Sequence, residues 1–286
     1  KELEKRRETV LKTIEEQGKL TPELREKIEK CESSTELEDL YLPFKPKKKT
    51  RAGIAKEKRL EPLALLILEQ RILAIHDKAE EFLNDQVETV EDALQGARDI
   101  IAEWISENQE ARNIVRRFFS SDAVISSRLV KGKELEGIKF SDYYEFSEPL
   151  KKCPSHRMLA MRRGEQEGFL RISINIEEEK VLNTLIRKFV KGKTEASEQV
   201  ETAVRDSYKR LLQPSIENEY KTLHKEKADE EAIRVFAENL RQLLLSPPLG
   251  QKNVLALDPG YRTGCKVVCL DEIGRASCRE RVFRTV

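Results

Sequence analysis

The change from helical to strand patterning near residue 250 constrains the fold of this chain most strongly. Before it, apolar residues recur at helical spacing among many charged ones. After it, residues 254–257 are a short apolar run that predicts a buried strand, and Asp258-Pro-Gly has the turn chemistry that we expect to end it. Residues 266–270, rich in β-branched side chains, predict a second strand. The chain therefore predicts two kinds of domain that meet at about residue 250.

The first 250 residues predict a multi-helical scaffold. Thr21 before Pro22 is typical of a helix start, and one long amphipathic pattern covers residues 90–119. Residues 143–149 read as a helix end or loop rich in aromatic side chains. Residues 169–176 alternate strictly and predict the one strand before the final domain. A long charged helix is expected over residues 215–245, after a kink or restart at Pro214.

Charge and cysteine usage exclude several classes of function. The chain has 53 Lys and Arg against 52 Asp and Glu, a net charge of +1, so a nucleic-acid contact must come from a local patch. No apolar run approaches the roughly 20 residues of a membrane span, and no signal peptide is visible. Five cysteines without a CxxC pair, beside three histidines, argue against a zinc site and fit a reducing cytoplasm. We expect no cofactor, no membrane partner and no small-molecule substrate.

The densest basic run is a candidate nucleic-acid contact. Two prolines, Pro43 and Pro46, hold this segment extended, so its side chains could follow a phosphate backbone. Tyr41 and Phe44 could stack on exposed bases. The alternative is a solvated basic loop whose two aromatic rings anchor it to the helical core. The basic residues of the segment are Lys45, Lys47, Lys48, Lys49 and Arg51.

A second basic cluster is expected on a short helix over residues 154–164. Its candidate nucleic-acid contacts are Arg157, Arg162 and Arg163. The alternative role for these side chains is structural hydrogen bonding. Ser155 and His156 do not indicate nucleophilic catalysis, because adjacent residues do not face each other on a helix.

Several segments together resemble one family, the bacterial Tex proteins, which are transcription accessory factors that bind nucleic acid. No single segment carries the resemblance; their number and order do, and the match extends to Asp271. The segments are residues 38–51 (EDLYLPFKPKKKTR), 61–63 (EPL), 146–152 (FSEPLKK), 154–157 (PSHR), 161–164 (MRRG), 225–240 (KEKADEEAIRVFAENL) and 247–264 (PPLGQKNVLALDPGYRTG).

The resemblance implies a domain order. A helical N-terminal region with a helix-turn-helix-like part is followed by a YqgF-type α/β domain of the ribonuclease-H-like fold. A helix-hairpin-helix module and a C-terminal S1 domain, where the family's nucleic-acid affinity chiefly resides, come next. We expect the S1 domain to be missing from this chain. The expected function is that of a non-catalytic, RNA-binding transcription accessory factor in the cytoplasm. RNA or single-stranded nucleic acid is the expected partner, with the transcription machinery as a further candidate.

The expected fold class is therefore mainly α, a multi-helical scaffold followed by the first strands of a ribonuclease-H-like domain. Both ends look cut, so we expect a fragment: residues 1–250 from the helical region and 251–271 from the start of the YqgF-like domain. Two strands alone would leave an apolar sheet face uncovered. Residues 272–286 are similar to the conceptual translation of a sequencing-library adapter and are expected not to be native, the alternative being a genuine basic tail.

Asp258 supports the alternative function, a metal-dependent nuclease or resolvase of the ribonuclease-H-like type. In such enzymes two or more carboxylates converge on two metal ions that activate water. One Asp cannot do this, and its other expected role is to cap the Asp-Pro-Gly turn. Because the Tex proteins are regarded as binding factors with a degenerate nuclease site, we expect no enzymatic activity and no metal.

Overall fold

A computed structural model describes residues 2–46, 48–71, 74–248, 250–260 and 264–282, with the backbone alone for 277–282. The chain divides into two compact units, Lys1–Glu230 and Glu231–Val286. Helix accounts for 64% of the residues, which confirms the mainly α fold class. No helix among the described residues is both long and apolar enough to cross a membrane.

Helices dominate the first unit. They are α1 (Glu2–Glu16), α2 (Pro22–Lys30), α3 (Ser34–Tyr41), α4 (Arg51–Glu57), α5 (Glu61–Glu69), α6 (Ile75–Glu80), α7 (Val90–Glu107), α8 (Gln109–Asp122), α9 (Ser155–Gln166), α10 (Glu178–Phe189), α11 (Glu195–Asp206) and α12 (Gln213–Leu244), the last running into the second unit. Short 3₁₀ helices cover Leu42–Phe44, Ile138–Tyr143 and Leu150–Lys152.

Side-chain caps set the start of many of these helices. The Thr21 hydroxyl accepts from the Leu24 amide at 3.2 Å, as the sequence predicts, and Thr50 accepts from Gly53 at 2.9 Å. Asn108 ends α7 and caps α8, because its backbone is extended (φ −71°, ψ 120°) and its side chain accepts from the Ala111 amide. The amphipathic pattern predicted over residues 90–119 therefore covers two helices, because the apolar stripe continues through a break in the backbone at Asn108.

Two separate apolar clusters stabilise the first unit. The larger surrounds α7, which packs against α4, α5 and α11. Gly96 permits the close approach of α7, since a Cβ there would lie 2.4 Å from Leu60 Cδ1. The smaller cluster joins the first three helices through Val10, Ile14, Ile28, Cys31, Leu37 and Tyr41.

The first unit contains an antiparallel three-stranded sheet in the order β2-β1-β3, formed by β1 (Val124–Leu129), β2 (Glu145–Pro149) and β3 (Leu170–Asn175). The strand predicted over residues 169–176 is confirmed. The expectation that it is the one strand before the final domain, with residues 143–149 a helix end or loop, is wrong. In β1, Ser126 and Ser127 interrupt the apolar pattern, yet their hydroxyls are paired, with Ser173 Oγ and the Tyr143 carbonyl.

The helical backbone is widened just before α12. Residues Ser207–Leu212 adopt π-helical turns, and α12 begins at Gln213. The expected restart at Pro214 lies one residue beyond this change. Because proline has no amide hydrogen to donate, the regular bonding pattern cannot continue through it. The long charged helix expected over residues 215–245 is confirmed as part of α12.

The second unit holds an antiparallel sheet in the order β4-β5-β6, formed by β4 (Val254–Gly260), β5 (Gly264–Leu270) and β6 (Ala276–Val282). The expected strand end at Asp258 is wrong, since pairing continues to Gly260 opposite Gly264. Leu255 and Leu257 are 63% and 61% exposed and Val254 is half-buried, so the described residues do not form the buried strand expected over 254–257. β6 lies within the segment expected not to be native, and the origin of that segment stays a prediction.

Candidate nucleic-acid interface

The basic segment connects two helices, and the backbone bends at Lys45 and Lys49. α3 ends at Tyr41 and the 3₁₀ turn Leu42–Phe44, which contains Pro43, follows directly. Lys45 then has an extended backbone (φ −64°, ψ 128°), and α4 begins after the Thr50 cap. The sequence prediction that the prolines stop the helix is confirmed.

The described basic side chains of this segment point to solvent. Lys45, Lys48, Lys49 and Arg51 are all exposed. None of the four forms an ion pair with another described residue, whereas many other cations of the chain do. Lys47 lies outside the described residues. These four charges are therefore not neutralised by an ion pair with a described residue and are exposed to a polyanion.

Three of these lysines share one cleft of about 500 Å³. The fold adds Lys19, from the turn between α1 and α2, and Lys56, from α4, to the same lining. Both residues are missed by the sequence prediction, because only the packing of the first helices places them beside the segment. We call this site the basic cleft, defined by Lys19, Lys45, Lys48, Lys49 and Lys56. Glu57 and Glu103 also line it and moderate its charge.

The two aromatic rings beside the segment are held by the protein. Tyr41 is 8% exposed in the smaller apolar cluster, and the Arg6 guanidinium lies 5.4 Å from its ring centroid. Phe44 packs against the same cluster, and its carbonyl accepts from Gln17 Nε2 at 2.8 Å. Phe44 also lines the cleft. These contacts favour the anchoring role over base stacking.

The second predicted cluster is paired within the protein. On α9, Arg157 Nη1 lies 2.9 Å from Glu148 Oε2, and Arg163 Nε lies 2.9 Å from Glu167 Oε1. Arg162 Nη1 lies 2.5 Å from Glu165 Oε2. Their charges are thus compensated by neighbouring carboxylates, which supports the structural role. None of the three lines the basic cleft.

Glu167, which pairs with Arg163, shows how strongly a neighbouring carboxylate compensates this cluster. Lys139 and Arg163 both donate hydrogen bonds to the Glu167 carboxylate, and these bonds hold the pKa of Glu167 below its ordinary value. A phosphate approaching Arg163 would compete with a carboxylate already in place. That Arg157, Arg162 and Arg163 contact nucleic acid stays a prediction.

Asp258 lies on the exposed sheet of the second unit. Its side chain is 74% exposed, and its Oδ2 is 3.5 Å from Lys266 Nζ, its partner in the register between β4 and β5. Within the described ranges, no three His, Cys, Asp or Glu side chains are placed to hold a metal ion. The neighbour of Asp258 there is a cation rather than a second carboxylate.

A buried ion network holds the helix that precedes the basic segment. Asp39, on α3, accepts from Arg112 Nε at 2.6 Å and from Arg116 Nη2 at 2.8 Å, both on α8. Glu219, on α12, accepts from Arg116 Nε at 2.8 Å. Burial disfavours the Arg116 charge, but hydrogen bonds to Asp39 and Glu219 outweigh it and raise the pKa of Arg116. The network thereby joins the smaller apolar cluster to the main body of the first unit.

The fold and the cleft define a mainly helical protein with an exposed basic cleft, three of whose lysines (Lys45, Lys48 and Lys49) make no ion pair with a described residue. A family model described as Tex central region-like matches residues 71–236, more than half of the chain. The chain therefore belongs to the Tex family, as the sequence resemblance predicts.

Curated relatives match over nearly the whole chain. It is 40% identical over 282 residues to the transcriptional accessory protein Tex of Neisseria gonorrhoeae, covering 96% of this chain and 37% of that protein. It is 41% identical over 282 residues to protein tex of Bordetella pertussis, covering 93% and 36%. Human S1 RNA-binding domain-containing protein 1 is 27% identical over 286 residues, covering 92% and 28%. The chain thus spans less than two-fifths of the length of these relatives.

Proposed function

We propose that this chain is the scaffold part of a non-catalytic transcription accessory factor and that its basic cleft contacts the phosphate backbone of RNA or single-stranded nucleic acid. The observation that carries the proposal is the convergence of five lysines on one cleft of about 500 Å³, three of them from the segment between α3 and α4. The names of relatives support it, since one is a transcriptional accessory protein and another is an S1 RNA-binding domain-containing protein.

The charges of the cleft favour backbone contacts over base recognition. Lys45, Lys48 and Lys49 are exposed point charges without described ion-pair partners, which suits phosphate binding. Phosphate contacts position a nucleic acid without reading its sequence. The ring of Tyr41 is buried and so is not offered to a base. We therefore expect weak binding with little sequence preference, micromolar at best.

We expect a single-stranded ligand, since the lysines lie on a short bent connection between α3 and α4 rather than along one straight line. Lysines on such a segment can follow one flexible strand. Each contact releases counterions from the strand, so affinity falls with salt. We assign the tighter binding of an intact factor to the S1 domain that the sequence resemblance implies.

The test is the affinity of a fluorescein-labelled single-stranded oligouridine, measured by anisotropy. The cleft variant carries Lys45→Gln, Lys48→Gln and Lys49→Gln. The matched control carries Lys27→Gln, Lys131→Gln and Lys209→Gln, three lysines that are also exposed and without described ion pairs. Both variants lose the same net charge. A tenfold or greater loss of affinity is expected for the cleft variant alone, and equal losses in both variants would contradict a local site.

A further inference from the structure

A second cleft, distinct from the basic cleft, lies between α8 and α10. It has a volume of about 500 Å³. Ile114 and Phe118 of α8 form its apolar floor, and Thr184 lies beside them on α10. Arg117, Arg187 and Lys188 stand around it. We call this cleft the α8–α10 groove.

The floor of the groove is fixed by the main core. Ile114 is 9% exposed and belongs to the larger apolar cluster, and Phe118 packs against that cluster. On the other wall, α10 directs Val181 and Leu185 into the core, while Arg187 is exposed. The groove is thus a preformed surface between two packed helices, not a gap that opens only when a helix moves.

Two of the three cations on the rim of the groove, Arg117 and Arg187, make no ion pair with a described residue. No residue that lines it is acidic. Arg187 is exposed and makes no ion pair with a described residue, and Arg117 donates only to the Asn113 carbonyl, at 3.4 Å, among the described contacts. Lys188 pairs with Glu110, which lies outside the lining.

We propose that the α8–α10 groove docks an acidic amphipathic helix of a partner protein. A helix laid between two helices inserts apolar side chains spaced three and four residues apart into an apolar floor. Carboxylates flanking those anchors would face Arg117 and Arg187, which lack acidic partners in the groove. Complementary charge of this kind selects the partner and its orientation. The groove would then join the factor to a protein, which goes beyond binding of nucleic acid.

The floor favours a protein over a nucleic acid as the occupant. Phosphate contacts of the kind proposed for the basic cleft use cations and would leave the apolar floor of this groove uncovered. This groove offers one ring, Phe118, which packs against the core, next to the aliphatic Ile114. Aliphatic floors suit the leucine-type anchors of a helix.

Site-specific photocrosslinking tests this proposal. p-Benzoylphenylalanine replaces Ser121, an exposed lining residue, in the full chain within cells, and Glu29 of α2 is the control position. Crosslinked peptides are sequenced by mass spectrometry. We expect one predominant protein segment, rich in Asp and Glu, with apolar residues at helical spacing, at position 121 alone. Adducts with RNA, adducts with basic or non-amphipathic segments, or no adducts above the control would overturn the proposal.

A charge-reversal variant makes the result specific. A synthetic peptide of the captured segment is titrated against the unmodified chain, against Arg117→Glu/Arg187→Glu and against Arg128→Glu/Arg171→Glu. The last pair lies on β1 and β3, is exposed, and changes the net charge equally. At least a tenfold weaker affinity is expected for the groove variant alone. Unchanged affinity, with circular dichroism showing all three chains folded, would contradict the role of the rim.

Discussion

The carboxylate of Asp39 and the guanidinium of Arg112 are joined at 2.6 Å, with only 3% and 9% of their side chains exposed. Asp39 lies on α3, immediately before the turn that starts the basic segment, and Arg112 lies on α8. A buried ion pair of this kind tolerates little displacement, because each charge depends on the other for its solvation. The position of the basic cleft therefore depends on a contact between residues 73 positions apart.

Replacing Asp39 by Ala is expected to destabilise the first unit by about 3–5 kcal/mol, because Arg112 and Arg116 would lose the carboxylate that compensates them. Urea denaturation followed by circular dichroism measures the change. Glu38→Ala is the control, since Glu38 pairs with Arg6 where both side chains are about 40% exposed, and it should cost less than about 1 kcal/mol. Equal effects from the two substitutions would contradict a stabilising role specific to the buried network.

The stability of the first unit is expected to fall as the pH drops below about 6.5, the ordinary pKa of histidine. Burial, assisted by nearby Lys227, holds the pKa of His224 below its ordinary value, and its ring stacks on Tyr220. Because the folded protein favours neutral His224, the unfolded chain takes up a proton first, and protonation favours unfolding. Thermal melts between pH 5 and 8 should show a smaller decline for His224→Gln. An identical decline would show that other groups cause it.

No magnesium-dependent cleavage of single-stranded, duplex or branched nucleic acid is expected from the chain, because Asp258 faces Lys266 on an exposed sheet. Asp258→Asn should leave RNA affinity unchanged within a factor of about two, since one exposed charge outside the basic cleft contributes little. A gel assay with end-labelled substrates checks both chains. Cleavage by the unmodified chain that Asp258→Asn abolishes would support the nuclease alternative instead.

Signals between residues that are neighbours in sequence are sufficient to predict much of the helical framework. The Thr21 cap, the end of α3 before Pro43 and the alternation of residues 169–176 each depend on neighbours in sequence. β1 escaped prediction because its two serines are satisfied by partners that only the folded sheet supplies. The break at Asn108 could not be predicted, because the apolar stripe of α7 continues into α8, which Asn108 caps.

The candidate site was partly predictable for the same reason. Lysines 45, 48 and 49 are adjacent in sequence and could be recognised as a basic run. Lys19 enters the cleft only because α1 and α2 fold beside the segment, and the network around Asp39 joins residues from α3, α8 and α12. Contacts between such distant residues leave no periodic or spacing signal in a single sequence. Arg163 is different: the sequence predicts it as a nucleic-acid contact, but in the fold it pairs with Glu167, four residues further along the chain.

The salt dependence of RNA binding tests the central claim most directly. For single strands, log K falls with log salt by about 0.7 for each phosphate contact. If Lys45, Lys48 and Lys49 each contact one phosphate, the slope of the Lys45→Gln/Lys48→Gln/Lys49→Gln variant should be shallower than that of the unmodified chain by about 2. The variant with Gln at residues 27, 131 and 209 should keep the original slope. Equal slopes for all three chains would contradict phosphate binding in the basic cleft.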